Sequence, residues 1–178
     1  MPIEQLDETD IRILKALQAD GRLTNVDLAE RINLSPSPCL RRTKRLEAAG
    51  VIAGYRAEID RTRVGLGLTV FIEIKVGRHS RSNADELTAA LLAIPEVVSC
   101  CMVSGAADFL VELAVADLAA YERLLSDRLL VLPMIADIRS NFALRVIKTA
   151  GPLALPDTPP PKQPSGYRSS SVSPAGPV

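Results

Sequence analysis

Residues 33–50, Asn-Leu-Ser-Pro-Ser-Pro-Cys-Leu-Arg-Arg-Thr-Lys-Arg-Leu-Glu-Ala-Ala-Gly, carry the side chains of this chain best suited to meeting a polyanion. Between Ile32 and Leu46 stand four cations, Arg41, Arg42, Lys44 and Arg45, and no acid. Arginine and lysine neutralise phosphates, and arginine or a serine hydroxyl can also reach a base edge, so a helix that lines them up has the chemistry to read duplex DNA. Helical spacing sorts the residues by face. Ser37, Arg41 and Lys44/Arg45 share one side, while Cys39/Leu40, Thr43 and Leu46 recur on the other and face a core. Ser35 is a suitable N-cap. Pro36 and Pro38 occupy the first turn, where a missing amide donor costs nothing, and Gly50 closes the helix.

The elements that must hold this helix are readable on either side of it. Thr24-Asn25-Val26-Asp27 is a capping-box-like start, and Leu28, Ala29 and Ile32 give the short helix that follows a buried face. Helix, tight turn, basic helix is the helix-turn-helix arrangement, whose second helix lies in the major groove. An earlier helix, beginning near Asp7 and carrying Ile11, Ile13, Leu14 and Leu17, completes a three-helix bundle. From Val51 to Asp60, Tyr55, Ala57 and Ile59 alternate, which predicts a strand packed beside the bundle as a wing.

Composition sets limits. The chain has 178 residues, and Lys+Arg 21 balances Asp+Glu 21, so net charge offers no argument for nucleic acid. Residues 1–60 hold 9 basic and 10 acidic groups and residues 61–149 hold 10 of each, so the DNA reading rests on local placement. No apolar run approaches the roughly 20 residues of a membrane helix, and the acidic N-terminus is unlike a signal peptide, which makes a cytoplasmic location the expectation. Cys100 and Cys101 are adjacent in an expected strand and point to opposite faces, Cys39 is core filler, and no cysteine spacing suits zinc. His79 is the one histidine, and no nucleophile, acid–base pair or phosphate loop stands out, so neither an enzyme nor a metal or cofactor site is expected.

A second domain follows residues 61–68, a short linker with two glycines. Val70, Ile72, Ile74 and Val76 alternate with Phe71, Glu73 and Lys75 as a half-buried strand. Ala84, Leu87, Ala90/Leu91 and Ile94 give a helix stopped at Pro95, and strands follow over 97–103 and 109–115, joined by the turn Ser104–Asp108. Leu118, Tyr121, Leu124/Leu125 and Leu129 form another helix ended at Pro133, and Ile135–Lys148 is the last strand. The order βαββαβ over residues 69–150 predicts a ferredoxin-like domain with both helices on one face of an antiparallel sheet. The other face carries apolar residues that a second copy of the chain would cover, which predicts a homodimer. Residues 151–178 hold eight Pro, three Gly and five Ser, a composition that predicts a disordered tail. The fold class is therefore α+β: a winged helix-turn-helix bundle over residues 1–60 and a ferredoxin-like domain.

Four strings in this order, Leu6-Asp7-x-x-Asp10-x-x-Ile13-Leu14-x-x-Leu17-Gln18-x-Asp20-Gly21-Arg22, Leu34-Ser35-Pro36-Ser37-Pro38-Cys39-Leu40, Val51-Ile52-x-Gly54-Tyr55 and Val103-Ser104-Gly105, resemble the Lrp/AsnC (leucine-responsive, feast/famine) regulators over residues 4–150. The resemblance implies an N-terminal DNA-binding domain, a C-terminal domain that binds small amino acids, and dimers that associate into octamers with the effector between dimers. It implies DNA contacts from Thr24, Ser35, Ser37, Pro38, Arg41, Arg42, Lys44 and Arg45. It also implies effector contacts from Gly105 and Asp108 in the turn and from Ser140, Asn141 and Phe142 on the last strand. Many members have Gly-Asp-x-Asp-Tyr in this turn, where this chain has Gly105-Ala106-Ala107-Asp108-Phe109.

The sequence thus predicts a regulator that binds double-stranded DNA, responds to an amino acid and governs amino-acid metabolism. Two other readings are an effector-independent architectural DNA-binding protein, which shares every N-terminal feature, and a metabolite-binding regulatory subunit of an enzyme, against which the four-cation helix argues.

Overall fold

The computed structural model describes residues 6–77, 81–149 and 151–157, so His79 and the chain from residue 158 onward lie outside the described residues. The described residues form two compact units: one holds the described chain up to Ala57 together with residues 151–157, and the other the described part of Glu58–Thr149.

The first unit holds α1 (Glu8–Ala19), α2 (Asn25–Arg31) and α3 (Pro36–Ala48). Ile13, Ala16, Leu28, Ala29, Ile32, Cys39 and Leu46 form its core, in which each large aliphatic side chain contributes about 1.5–3 kcal/mol. Asp7 caps α1 in a reciprocal box: its carboxylate accepts from the Asp10 amide, and the Asp10 carboxylate accepts from the Asp7 amide. Thr24 caps α2 by accepting from the Asp27 amide at 3.2 Å, and Asn25 donates to the Pro36 carbonyl at 2.9 Å, tying the start of α2 to that of α3. At the far end of α3, Gly50 sits at φ +70°. Its amide bonds the Glu47 carbonyl and the Val51 amide bonds the Leu46 carbonyl, a Schellman stop.

Three expectations for this unit are corrected. Ser35 holds the N-cap position of α3 but its side chain makes no capping bond; of the two amides an N-cap oxygen can accept from, the one at the third helical position is missing because Pro38 stands there. Leu40, expected in the core with Cys39, is exposed, since one residue of rotation carries it about 100° round the helix. Residues 53–60 form no strand: the alternating apolar pattern is present, but the chain offers no ladder partner there. Tyr55 instead donates from its hydroxyl to Glu47 at 2.9 Å.

The second unit is a four-stranded antiparallel sheet in the order β2-β3-β1-β4, with β1 Leu68–Val76, β2 Val97–Met102, β3 Phe109–Val115 and β4 Ile135–Phe142. Helices α4 (Arg81–Leu92) and α5 (Leu118–Leu124) cross between parallel, non-adjacent strands. α5 is extended by a π-helical turn over Leu125–Leu129. Alternate strand residues, Val70, Ile72, Ile74 and Val76 on β1 and Phe109, Val111, Leu113 and Val115 on β3, pack with Leu87, Leu91, Tyr121, Leu124 and Leu129. This is the expected βαββαβ architecture. The opposite sheet face mixes apolar and charged groups: Phe71 and Leu110 lie among Glu73, Glu112 and Arg139, of which Glu73 pairs with Arg139 at 3.5 Å. Cys100 packs against the core and Cys101 is exposed, as their alternation requires.

The last strand is shorter than expected. β4 pairs with β1 running backwards and reaches Phe142 opposite Val70; β1 begins at Leu68, so the template runs out before Lys148. Of the expected linker 61–68, residues 61–65 are an ordered turn and Leu68 already belongs to β1; Arg61 bonds Glu112 at 2.8 Å and Asp60 accepts from the amides of Thr62 and Arg63. Residues 151–157, expected to be disordered, lie extended along α1. The Gln18 amide group accepts from the Leu153 amide at 2.7 Å and donates to its carbonyl at 3.4 Å, and Lys15 pairs with Asp157 at 2.5 Å. A primary amide offers a donor and an acceptor at nearly the spacing of a backbone edge, so a short Pro- and Gly-containing segment that builds no core of its own can still dock.

Candidate nucleic-acid interface and effector turn

The core side of α3 is fixed by Cys39 and Leu46, both buried. Ser35, Ser37, Arg41 and Lys44 are exposed; Ser37, Arg41 and Lys44 recur at four and three residues along one outward stripe, and no acid of α3 interrupts it. Pro38 is half-buried. Thr24, also exposed, has its hydroxyl engaged in capping α2: besides accepting from the Asp27 amide it donates to the Asp27 carboxylate at 2.7 Å.

Arg42 and Arg45 are the two cations of α3 that acids of α1 engage, Arg42 half-buried beside the core and Arg45 exposed at the border of the stripe. Arg42 Nη1 donates to Asp7 Oδ2 at 2.6 Å and to Asp10 Oδ1 at 3.0 Å, and Arg45 Nη2 donates to Asp10 Oδ2 at 2.5 Å. The Asp10 side chain is completely buried, whereas those of Arg42 and Arg45 are 28% and 51% exposed. Burial would raise the Asp7 carboxyl, but the Asp10 amide and the Arg42 guanidinium outweigh it and hold it below the usual carboxylate value. Arg42 is raised by the hydrogen bond it donates to Asp7, against burial. Asp7 and Asp10 stand in the sequence string quoted above but not among the candidate site residues. The signal that could have found them is the place of Asp10 on the α1 stripe, three residues before Ile13 and seven before Leu17, where a charge needs a partner.

In the second unit, Gly105 adopts φ +135° at the β2–β3 turn, a conformation that side chains rarely take. Asp108 closes that turn against β1. Its amide donates to the Ile74 carbonyl at 2.9 Å, and its Oδ2 accepts from the Val76 amide at 2.8 Å. On β4 the side chains alternate. Ser140 shares a hydrogen bond with the Tyr121 hydroxyl, and Phe142 meets the Tyr121 ring edge-on with centroids 5.4 Å apart. Asn141 points to the other face and donates to Glu73 at 3.4 Å. Ser140 pairs with Ile72, whereas Asp108 lies beside Ile74–Val76 across β1. At roughly 3.3 Å per residue and 4.8 Å per strand, the two groups are separated by about 10 Å in each direction. One chain therefore does not bring Gly105 and Asp108 together with Ser140, Asn141 and Phe142. An open cleft of about 250 Å³ lies instead beside the π-helical turn, lined by Leu125, Leu130, Ile135, Ala136, Asp137, Ile138 and Ser140. Tyr121, which organises Ser140 and Phe142, was read from the sequence only as helix core. Among the described residues no three His, Cys, Asp or Glu are grouped to hold a metal ion, and no helix is long and apolar enough to cross a membrane.

Comparison with known proteins matches both units. The family model for winged helix-turn-helix DNA-binding domains covers residues 6–53, and that for the Lrp/AsnC ligand binding domain covers residues 69–153. The leucine-responsive regulatory protein of Haemophilus influenzae is 41% identical over 150 residues, spanning 84% of this chain and 90% of that protein. The leucine-responsive regulatory protein of Escherichia coli K12 is 38% identical over 154 residues, 86% and 94% of the two chains. Among solved structures, a transcriptional regulator from Neisseria meningitidis in complex with L-Met superposes with a TM-score of 0.79 at 42% identity, covering 83% of this chain and 96% of that one. An AsnC family regulator from Agrobacterium tumefaciens gives the same TM-score and coverage at 34% identity. A basic helix on a helix-turn-helix bundle, a ferredoxin-like second unit and these likenesses over nearly the whole described length agree: the chain belongs to the Lrp/AsnC family of DNA-binding transcriptional regulators.

Proposed function

We propose that this regulator acts in the cytoplasm as a homo-oligomer that binds duplex DNA upstream of amino-acid metabolism genes and changes its binding in response to an amino acid. The observation that carries the DNA part is the outward stripe of α3, where Ser37, Arg41 and Lys44 are exposed with no acid of the helix among them. Ser35 and Ser37 at the start of the helix supply hydroxyls for phosphate or base edges, Arg41 is suited to a base edge, and Lys44 to a phosphate. Pro38 shapes the first turn, and Thr24 acts by holding α2. A dimer sets two such helices in successive major grooves, about one helical turn apart.

For the effector, the chemistry favours assembly between copies. Backbone amides around Gly105 suit a carboxylate, while Ser140, Asn141 and Phe142 are too distant within one chain to close the same site and would be supplied by a neighbour in a higher oligomer. The L-Met bound by the Neisseria regulator supports an amino acid with an apolar side chain as the ligand class. Linkage makes the coupling reciprocal, so a ligand that alters DNA affinity is itself bound differently on DNA. The test is binding to the DNA upstream of the protein's own gene, against a random duplex, with and without each amino acid. A change of affinity or footprint with one amino acid is expected. Specific binding indifferent to all of them would refute the effector part, and equal binding to both duplexes would favour the architectural reading.

A further inference from the structure

We propose that Asp10 is a positioning residue for DNA reading: it withholds Arg42 from the charge offered to DNA and fixes α3 about its own axis so that Ser37, Arg41 and Lys44 face outward. The inference rests on α3 being the DNA-binding helix. Four cations on one short helix suggest four phosphate or base contacts, but the geometry divides them. The Asp10 carboxylate is fully buried between α1 and α3, and its oxygens accept from three donors: the Asp7 amide at 3.1 Å, Arg42 at 3.0 Å and Arg45 at 2.5 Å. Arg42 is held again by Asp7 at 2.6 Å, so its charge meets two carboxylates inside the protein. Arg45 gives one amino group to Asp10 and keeps a half-exposed side chain, so it is aimed rather than withdrawn.

A carboxylate gripping positions 42 and 45 sets the rotation of the helix, because the two lie on the same side, three residues apart. Ser37, Arg41 and Lys44 then stay on the exposed side, with Arg45, four residues after Arg41, at the border between the two. Asp10 also closes the N-terminal box of α1, so the anchor is fixed to the first turn of that helix and does not swing with its own side chain. The cluster of Asp7, Asp10, Arg42 and Arg45 is neutral, which leaves Arg41 and Lys44 as whole charges.

The count of released counterions reads this directly, since each cation placed on a phosphate adds about 0.9 to the slope of log binding constant against log salt. Binding of the full-length protein to a random duplex, followed by fluorescence anisotropy over a salt series, is measured for the wild type, Arg41→Ala, Arg42→Ala, Asp10→Asn and Asp10→Asn with Arg42→Ala. Arg41→Ala is expected to lower the slope by about 0.9 per bound chain, and Arg42→Ala to leave it unchanged. Asp10→Asn removes one negative charge and leaves Asp7, Arg42 and Arg45 with one net positive charge, so the slope rises, and adding Arg42→Ala brings it back to the wild-type value. Discrimination between the upstream DNA and the random duplex falls in Asp10→Asn, because the helix loses its rotational anchor. A slope lowered equally by Arg42→Ala and Arg41→Ala overturns the proposal while the DNA-reading helix stands. A slope indifferent to both overturns that helix, and the proposal with it. A folded Asp10→Asn protein with altered stability but an unchanged slope reduces Asp10 to packing and also overturns it. If Asp10→Asn does not fold, Arg42→Ala against Arg41→Ala decides alone.

Discussion

Replacing both Arg42 and Arg45 by alanine leaves the Asp10 carboxylate buried with a single remaining partner, the Asp7 amide. Each lost charge-assisted bond is worth about 1.5–3 kcal/mol, and stripping one side of a buried ion pair costs about 3–5 kcal/mol. Arg42 and Arg45 are themselves partly exposed, so their truncation opens a path for water to the carboxylate and places the loss at the lower end, about 3 kcal/mol. Adding Asp10→Asn to that double variant removes the orphaned charge while an amide oxygen still accepts from Asp7, and recovers about 1–2 kcal/mol. Three substitutions are then less harmful than two. Native-state hydrogen exchange resolves this by unit: amides of α1 and α3 exchange about 100-fold faster in the double variant, while amides of β1 and β3 in the second unit serve as the internal reference. Unchanged protection of α1 and α3 in the double variant, or further loss on adding Asp10→Asn, would refute the reasoning.

Two further outcomes follow from the same unit. Gly50→Ala places a methyl group where nothing lies within 4 Å, so its cost is the φ of +70° alone, about 1 kcal/mol, and Gly50→Asn costs less; a chemical denaturation midpoint unmoved by alanine would contradict the Schellman stop. The Asp7 carboxyl is held below its usual value, so it adds stability that is full above the unfolded-state pKa and disappears as pH falls through the folded one. Thermal melts from about pH 6 down to about pH 3 should therefore show an acid loss in the wild type that Asp7→Asn flattens, and coincident profiles would exclude the linkage.

Much of this architecture is written locally. Period-two alternation in Val70–Val76 and Phe109–Val115, period-3.6 patterns in α1 and α3, and the stops at Pro95, Pro133 and Gly50 are each decided within a few residues, and the βαββαβ order follows from them. What escaped the sequence depends on partners. Tyr55, Ala57 and Ile59 alternate as a strand does, but a strand exists only where another edge pairs with it. The end of β4 at Phe142 is set by where β1 begins, more than 70 residues earlier. In the candidate interface the difficulty is rotational. Arg42 lies three residues after Cys39 and four before Leu46, both buried, so the helical wheel alone places it near the core edge, but only the carboxylates of α1 explain why a cation is tolerated there. Tyr121 likewise reads as a core aromatic until its hydroxyl is seen at Ser140.

The start of α3 has a consequence for the speed and reversibility of docking. Pro36 and Pro38 each lock one backbone torsion near its helical value, and the carbonyl of Pro36 is held by Asn25. The first turn is therefore restricted even in the unfolded chain and already formed in the free protein, so little conformational entropy is lost when it meets a groove. Recognition begins from a rigid tip rather than from a segment that folds on contact. Encounter is then limited by orientation more than by ordering, and the loss of single contacts registers mainly as faster release.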